Sequence, residues 1–338
     1  MNKLHAVYDF HSSPASYDFI TFLVWAKFEQ ERLGLSGLRV YFVQNVGGGW
    51  RDDNKPTSNV EKAWRRDHIL VPSCRLVGAE ALCMPREEVD TLIGECARFP
   101  HNWAAQQPEA RYKNKMFAKQ HAKSRPPSFI PDPCALELVR KWLGPDQAHY
   151  ITITYRTTYY TERNSNPLNW SAFADWLREK GWCVVEIPDT VEAGNWHDAL
   201  GSIAAVNVLI RHALYHGAFQ NMGADNGPFA LCVYSTLPYL VTIFQRGTHH
   251  TSPGFYAKQG IPPGSQHIWS GPHRKLTWAE DTLENLRTMF ERECELAPMG
   301  DDRGPEHAIN PKGTLHGEET QARQEKAEVA GEQTLEAL

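Results

Sequence analysis

The feature that most restricts how this chain can fold is a recurring step: a short β-branched, apolar run, a polar loop, then a longer stretch with helical apolar spacing. LHAVYDF passes through HSSPASYD into FITFLVWAKFEQERLGL, and RVYFVQNV passes through GGGWRDDNKPTSN into VEKAWRRDHIL. EALCMP is expected as a short buried strand, with REEVDTLIGECARF as its helix. Ser and Asp at the first boundary are helix-start residues, and Gly34 and Gly37 punctuate the exit. Alternation of this kind predicts a parallel sheet covered by helices.

A second series begins at CALELVRKWLG and continues through the strand HYITITYR, the loop TTYYTERNSNP, the helix LNWSAFADWLREKG and the strand WCVVEIPDT. A helix over roughly 203–218 follows, then the short strand FQNMGA, a turn or helix at FALCVYS and the buried strand PYLVTIF. A helix from near Asp281, DTLENLRTMFERE, closes the ordered part. Between the series, residues 100–133 lose all periodicity and become basic and Pro-rich, as expected of an interdomain connection; its cations form a solvated face or a patch for a phosphate-rich acceptor. At 338 residues the chain exceeds the usual size of one compact domain. The expectation is therefore an α/β protein of two Rossmann-like domains facing a cleft, residues 1–130 and 131–295. Residues 296–338 are rich in Glu, Gln and Gly and poor in aromatics, so they lack the apolar content to offset ordering entropy; a disordered tail is expected.

A net charge of -5 and a pI near 6.3 leave no global basic field to attract nucleic acid or an anionic membrane. No signal-like N-terminus and no uncharged apolar run of bilayer length are evident, which predicts a cytoplasmic protein and leaves peripheral membrane contact open. The seven Cys are scattered without a CxxC pair, and the His residues form neither HxxxH nor HExxH. Buried free thiols and no metal site are expected.

Ligands of parallel αβ sheets bind beyond the carboxyl ends of the strands, where loops and helix N-termini present free N–H groups. Three such loops in the second series are unusually polar. Arg156, Tyr159, Tyr160, Arg163, Asn164, Ser165 and Asn166 follow HYITITYR; Asp189 and Thr190 end WCVVEIPDT; Asp225, Asn226, Gly227 and Pro228 follow FQNMGA. Guanidinium forks suit a pyrophosphate, which fits Arg156 and Arg163, although Arg163 equally suits a pair with a neighbouring carboxylate. Asp189 can accept from ribose hydroxyls or cap the next segment. Asp225, Asn226 and Gly227 can hold a sugar or form an Asx turn. In the first series, Asp9 and His11 end the first strand and could supply a general base, against the commoner role of a core or capping histidine. Tyr17 and Asp18 start the first helix, and Gly47, Gly48, Gly49, Trp50 and Arg51 follow the second strand. The triple glycine is no P-loop and serves equally as a flexible lid.

HYITITYR, RNSNPLNWSAFADWLREKGWCVVEIPDT and RHALYHGAFQNMGADNGPFALCVYSTLPYL together resemble the carboxyl domain of bacterial GT-B glycosyltransferases, most closely the heptosyltransferase-like and fucosyltransferase-like groups. FYAKQGIPPGSQHIWSG with RKLTWAEDTLENLR is similar to the closing segment of such proteins. The resemblance covers roughly residues 150–292. It implies a nucleotide-sugar donor site in the second domain, touched by Asp225, Asn226, Gly227 and Pro228, with Arg156, Arg163, Asn164, Asn166 and Asp189 beside it. It further implies an acceptor site in the first domain, where Asp9, His11 or Asp18 would act as catalytic base. Such enzymes use no cofactor beyond the nucleotide-sugar substrate, and generally no metal, because cationic side chains and a helix N-terminus offset the diphosphate charge. The implied activity is sugar transfer to a glycan, lipid-linked or protein hydroxyl. The rivals are a noncatalytic glycan- or nucleotide-binding module and a nucleotide-sugar epimerase of the same fold.

Overall fold

A computed structural model describes residues 2–44, 49–51, 57–101, 129–144 and 149–295. Strands β1 (Lys3–Asp9), β2 (Gly37–Val43), β3 (Glu80–Met84) and β4 (Arg98–Phe99) form one sheet in the order β3-β2-β1-β4. Strands β5 (Tyr150–Thr154), β6 (Cys183–Ile187), β7 (Gln220–Ala224), β8 (Tyr239–Thr242) and β9 (Arg274–Thr277) form a second, ordered β6-β5-β7-β8-β9. All pairings within both sheets are parallel, with Lys3 opposite Gly37 and Thr154 opposite both Ile187 and Gly223. The strand order reverses between β1 and β4 in the first sheet and between β5 and β7 in the second. At such a reversal the loops leaving the two strands turn to opposite faces, and a crevice opens above the carboxyl ends.

The α-helices of four or more residues are α1 (Asp18–Arg32), α2 (Asn59–Arg65), α3 (Arg86–Ile93), α4 (Pro133–Leu143), α5 (Pro167–Glu179), α6 (Ala199–Val206), α7 (Val208–Gly217), α8 (Ala230–Val233), α9 (Pro253–Lys258) and α10 (Leu283–Glu295). Their starts are chemically marked. Ser58, Asp132, Asn166, Asp198, Asn207 and Ser252 each accept a first-turn N–H, and Pro follows directly after Asp132, Asn166 and Ser252. One apolar cluster runs through both halves, joining Tyr8, Leu23 and Phe42 to Tyr215, Leu231 and Val241. The outer face of the first sheet is closed by Val89 and Ile93 on Val7, Tyr41 and Val43; that of the second by Trp170, Phe173 and Phe290 on Ile151 and Ile153. Cover on both faces explains why these strands read as continuous apolar runs. Across the halves, the Thr21 hydroxyl donates to Tyr234 Oη at 3.2 Å and the Phe28 ring lies 6.0 Å from Trp269. Both sheets belong to one unit, Met1–Leu296; the expected tail lies outside the described residues, as does most of the Pro-rich connection.

Several expectations need correction. β3 is an edge strand paired only to β2, and most of its side chains are at least partly exposed, so EALCMP is not buried. REEVDTLIGECARF is helical only to Ile93: Gly94 turns at φ +50°, and Arg98–Phe99 returns as a strand beside β1. The helix expected over 203–218 is two helices broken at Asn207, whose φ of -127° is extended and whose side chain caps α7. β9 and α9 are additions that the sequence pattern did not signal. Of the free thiols, Cys74 and Cys232 are buried, whereas Cys83, Cys96 and Cys134 are exposed.

Candidate functional site

The crevice above β5 and β7 gathers the polar corners into one cluster. Arg156 leaves β5 and is 7% exposed; its backbone N–H donates to Ser165 Oγ at 3.0 Å, and Ser165 N–H returns to the Arg156 carbonyl at 3.0 Å. This clasp aims the side chain across the reversal to β7, where Arg156 Nη1 donates to the Asp225 carbonyl at 2.8 Å. Arg163, on the short turn Thr161–Arg163, donates through Nη2 to Asp225 Oδ2 at 2.6 Å. Burial first, and the neighbouring Arg163 charge next, bring the Arg156 guanidinium down to about 10. For Arg163 burial is the largest single effect and opposes the charge, but Asp225, Tyr256 and Glu162 together outweigh it and the net direction is upward.

Four polar atoms here are buried without a hydrogen bond: Nε of Arg156, Nε of Arg163, and both Oδ1 and Nδ2 of Asn226. Buried polar atoms are normally paired, and each orphan costs about 1–3 kcal/mol. All four lie at the β5/β7 reversal, where strand-end loops of a parallel sheet converge.

The other expected residues around the crevice have identifiable partners. Asn164 fastens the loop, accepting from Thr158 N–H at 2.9 Å and donating to the Thr158 carbonyl at 2.8 Å. Asn166 caps α5, and its own N–H donates to Asp281 Oδ2 at 2.7 Å. Asp189 closes the β6 end, accepting from Thr157 N–H at 3.2 Å and Thr190 N–H at 2.7 Å. Gly227 and Pro228 begin the short turn Gly227–Phe229. A Cβ on Gly227 would stand 2.8 Å from Cβ of Tyr17, so only glycine lets the first half approach this corner.

On the first sheet, Asp9 ends β1 beside the other reversal and is 2% exposed. Its Oδ1 accepts the backbone N–H of His11 at 2.9 Å; Oδ2 is buried without a hydrogen bond, with Arg86 Nη1 at 3.9 Å. The carboxylate therefore meets His11 through the main chain and not through the imidazole, which is exposed. Asp18 is exposed at the start of α1 and accepts from the Ser16 hydroxyl at 2.9 Å. Gly47 and Gly48 lie outside the described residues. Arg51 N–H donates to the Phe10 carbonyl, and the Trp50 ring packs 4.7 Å from Phe10.

Three residues escaped the sequence-based assignment. Tyr256 on α9 is buried, and burial first, then the Asp225 charge, push the pKa of its hydroxyl upward. Asp281 accepts from both Asn166 N–H and Trp170 Nε1, anchoring the start of α5. Arg211, 1% exposed on α7, donates through Nε to the Ala204 carbonyl at 2.8 Å and acts electrostatically on Tyr17 and Asp189. The available signal for Arg211 was a single cation inside the apolar run VLIRHALY.

Two parallel αβα units with reversals facing a shared region define the GT-B class of fold, and structural comparison bears this out. The chain is similar to the E. coli ADP-heptose lipopolysaccharide heptosyltransferase II structure at a TM-score of 0.50 and 11% identity, over 88% of this chain and 100% of that one. It is also similar to a family 9 glycosyl transferase from Veillonella parvula (TM-score 0.46, 10% identity, 88% and 98% covered). The E. coli heptosyltransferase WaaC with ADP gives a TM-score of 0.41 at 14% identity, with 86% and 99% covered. No family model and no curated sequence matches. Among the described residues, no helix is long and apolar enough to cross a membrane.

Proposed function

We propose that the chain is a glycosyltransferase that moves a sugar from a nucleotide donor to a hydroxyl of a glycan, lipid-linked or protein acceptor, acting in the cytoplasm. The observation that carries this reading is the set of orphaned donors and acceptors on Arg156, Arg163 and Asn226 at the β5/β7 reversal. The diphosphate sits against Arg156 and Arg163, whose fixed charges stabilise it as a leaving group without a metal ion. Asn226 and Asp225 address the sugar. Asp9, with Oδ2 free of hydrogen bonds, takes the acceptor proton. The acceptor oxygen then forms its bond to the anomeric carbon as the bond from that carbon to the phosphate oxygen breaks, and the electron pair leaves on the diphosphate.

The Arg163–Asp225 ion pair favours one other reading, a binding module that holds a nucleotide or glycan without transfer, because half of the proposed clamp is already neutralised. The two separate in one experiment: incubation with nucleotide sugars and candidate acceptors, following nucleoside diphosphate release. Transfer requires release that depends on Asp9 and Arg156; binding without release in the presence of any acceptor supports the module.

A further inference from the structure

The anion-binding corner continues outward into a row of aromatic rings. Tyr256, at 4% exposure, feels the Asp225 charge, and from it the ring centroids step to Phe255 (5.5 Å), His250 (5.4 Å), Tyr160 (4.4 Å) and Tyr159 (4.2 Å). Tyr159 is 45% exposed, and Tyr160 and His250 are half-buried, so the row rises from the interior to the surface. Two separate segments supply it: the loop after β5 and the turn His249–Thr251 with the start of α9. The first is tied to the clamp, since Arg163 N–H donates to the Tyr160 carbonyl at 3.0 Å. A ligand matched to this arrangement carries an anionic group at one end and a flat π face at the other. A nucleoside diphosphate has both, and aromatic side chains stack bases of every kind.

We infer that Tyr159, Tyr160 and His250 form the platform on which the nucleobase of a nucleoside diphosphate stacks, one short turn away from the guanidinium groups that take its phosphates. The inference rests on the donor-site reading above. It is tested by titration calorimetry of the full chain with inorganic pyrophosphate and with ADP, GDP, UDP and CDP, using the wild type, Tyr160→Leu and Tyr160→Phe, with thermal melts to check folding. In Tyr160→Leu the nucleoside diphosphates that bind the wild type bind roughly 5- to 100-fold more weakly, pyrophosphate binds as before, and Tyr160→Phe behaves as wild type. Unchanged nucleotide binding in Tyr160→Leu overturns the platform, as does an equal loss of pyrophosphate or a wild type that binds no nucleoside diphosphate better than pyrophosphate. A wild type that binds neither overturns the donor-site reading and the platform with it.

Discussion

Arg156→Ala perturbs the crevice where its charge and its hydrogen bonding are most exposed to test. In the folded chain the guanidinium makes one side-chain hydrogen bond, Nη1 to the Asp225 carbonyl at 2.8 Å, while Nε has no partner. Truncation removes about 1 kcal/mol of hydrogen bonding, and Arg163 Nη2 remains 3.4 Å from the same carbonyl. It also removes a desolvated cation adjacent to another cation, an opposing gain. The two nearly cancel, so Tm should move by no more than about 5 °C for a chain of this size. A bound diphosphate, by contrast, loses a charge-assisted hydrogen bond of about 1.5–3 kcal/mol, which is roughly 10- to 150-fold in Kd. Titration calorimetry with the best-binding nucleoside diphosphate, paired with a thermal melt, reads both quantities. An unchanged Kd, or a collapse in Tm with no folded protein to titrate, refutes the reasoning.

Other outcomes follow from the same contacts. Asp225→Asn strips the carboxylate from Arg163, and pyrophosphate should then bind roughly 3- to 10-fold more tightly in calorimetry; weaker binding contradicts an Asp225 that competes with phosphate. Gly227→Ala drives a Cβ to 2.8 Å from Tyr17 and should cost about 1–3 kcal/mol in urea melts, a cost that Tyr17→Gly in the same chain relieves; additive losses would show that the close approach is not formed. His212 is fully buried with both ring nitrogens unpaired, and burial first, then His216, bring it down to about 3. Between its ordinary pKa and that value the unfolded chain binds a proton that the folded chain refuses, so stability is full above pH ~6.5 and falls as pH drops, by about 2 kcal/mol at pH 5. His212→Leu should lose that much less between pH 7 and pH 5, and an identical pH dependence in the two proteins would exclude this origin.

The parallel sheets were legible because strands covered on both faces are continuous apolar runs, as in ITIT and LVT. Where cover is missing the signal fades: β9 reads RKLT at a sheet edge, and β3 shows an apolar sequence at an edge that stays largely exposed. The break at Asn207 hid inside an apolar stretch, although Asn before such a run is a cap signal. In the crevice, the residue types could be picked out from their place after strands. Their partners could not, because the Arg156 bond to Asp225 joins positions 69 apart and depends on β7 crossing to the far side of β5. The same holds for Tyr256, whose approach to Asp225 is set by α9, and for Asp9, whose carboxylate the main chain of His11 occupies before its imidazole can.

Sugar transfer itself is tested most directly by mass spectrometry of reactions containing the protein, a panel of nucleotide sugars including ADP-heptose, and glycan or lipid-linked acceptors, with nucleoside diphosphate release measured in parallel. If the chain transfers sugar, the acceptor becomes heavier by one sugar residue in step with the released diphosphate, and this gain is lost in Arg156→Ala and Asp9→Asn. A donor that binds at the β5/β7 crevice yet is neither released nor transferred with any acceptor contradicts sugar transfer.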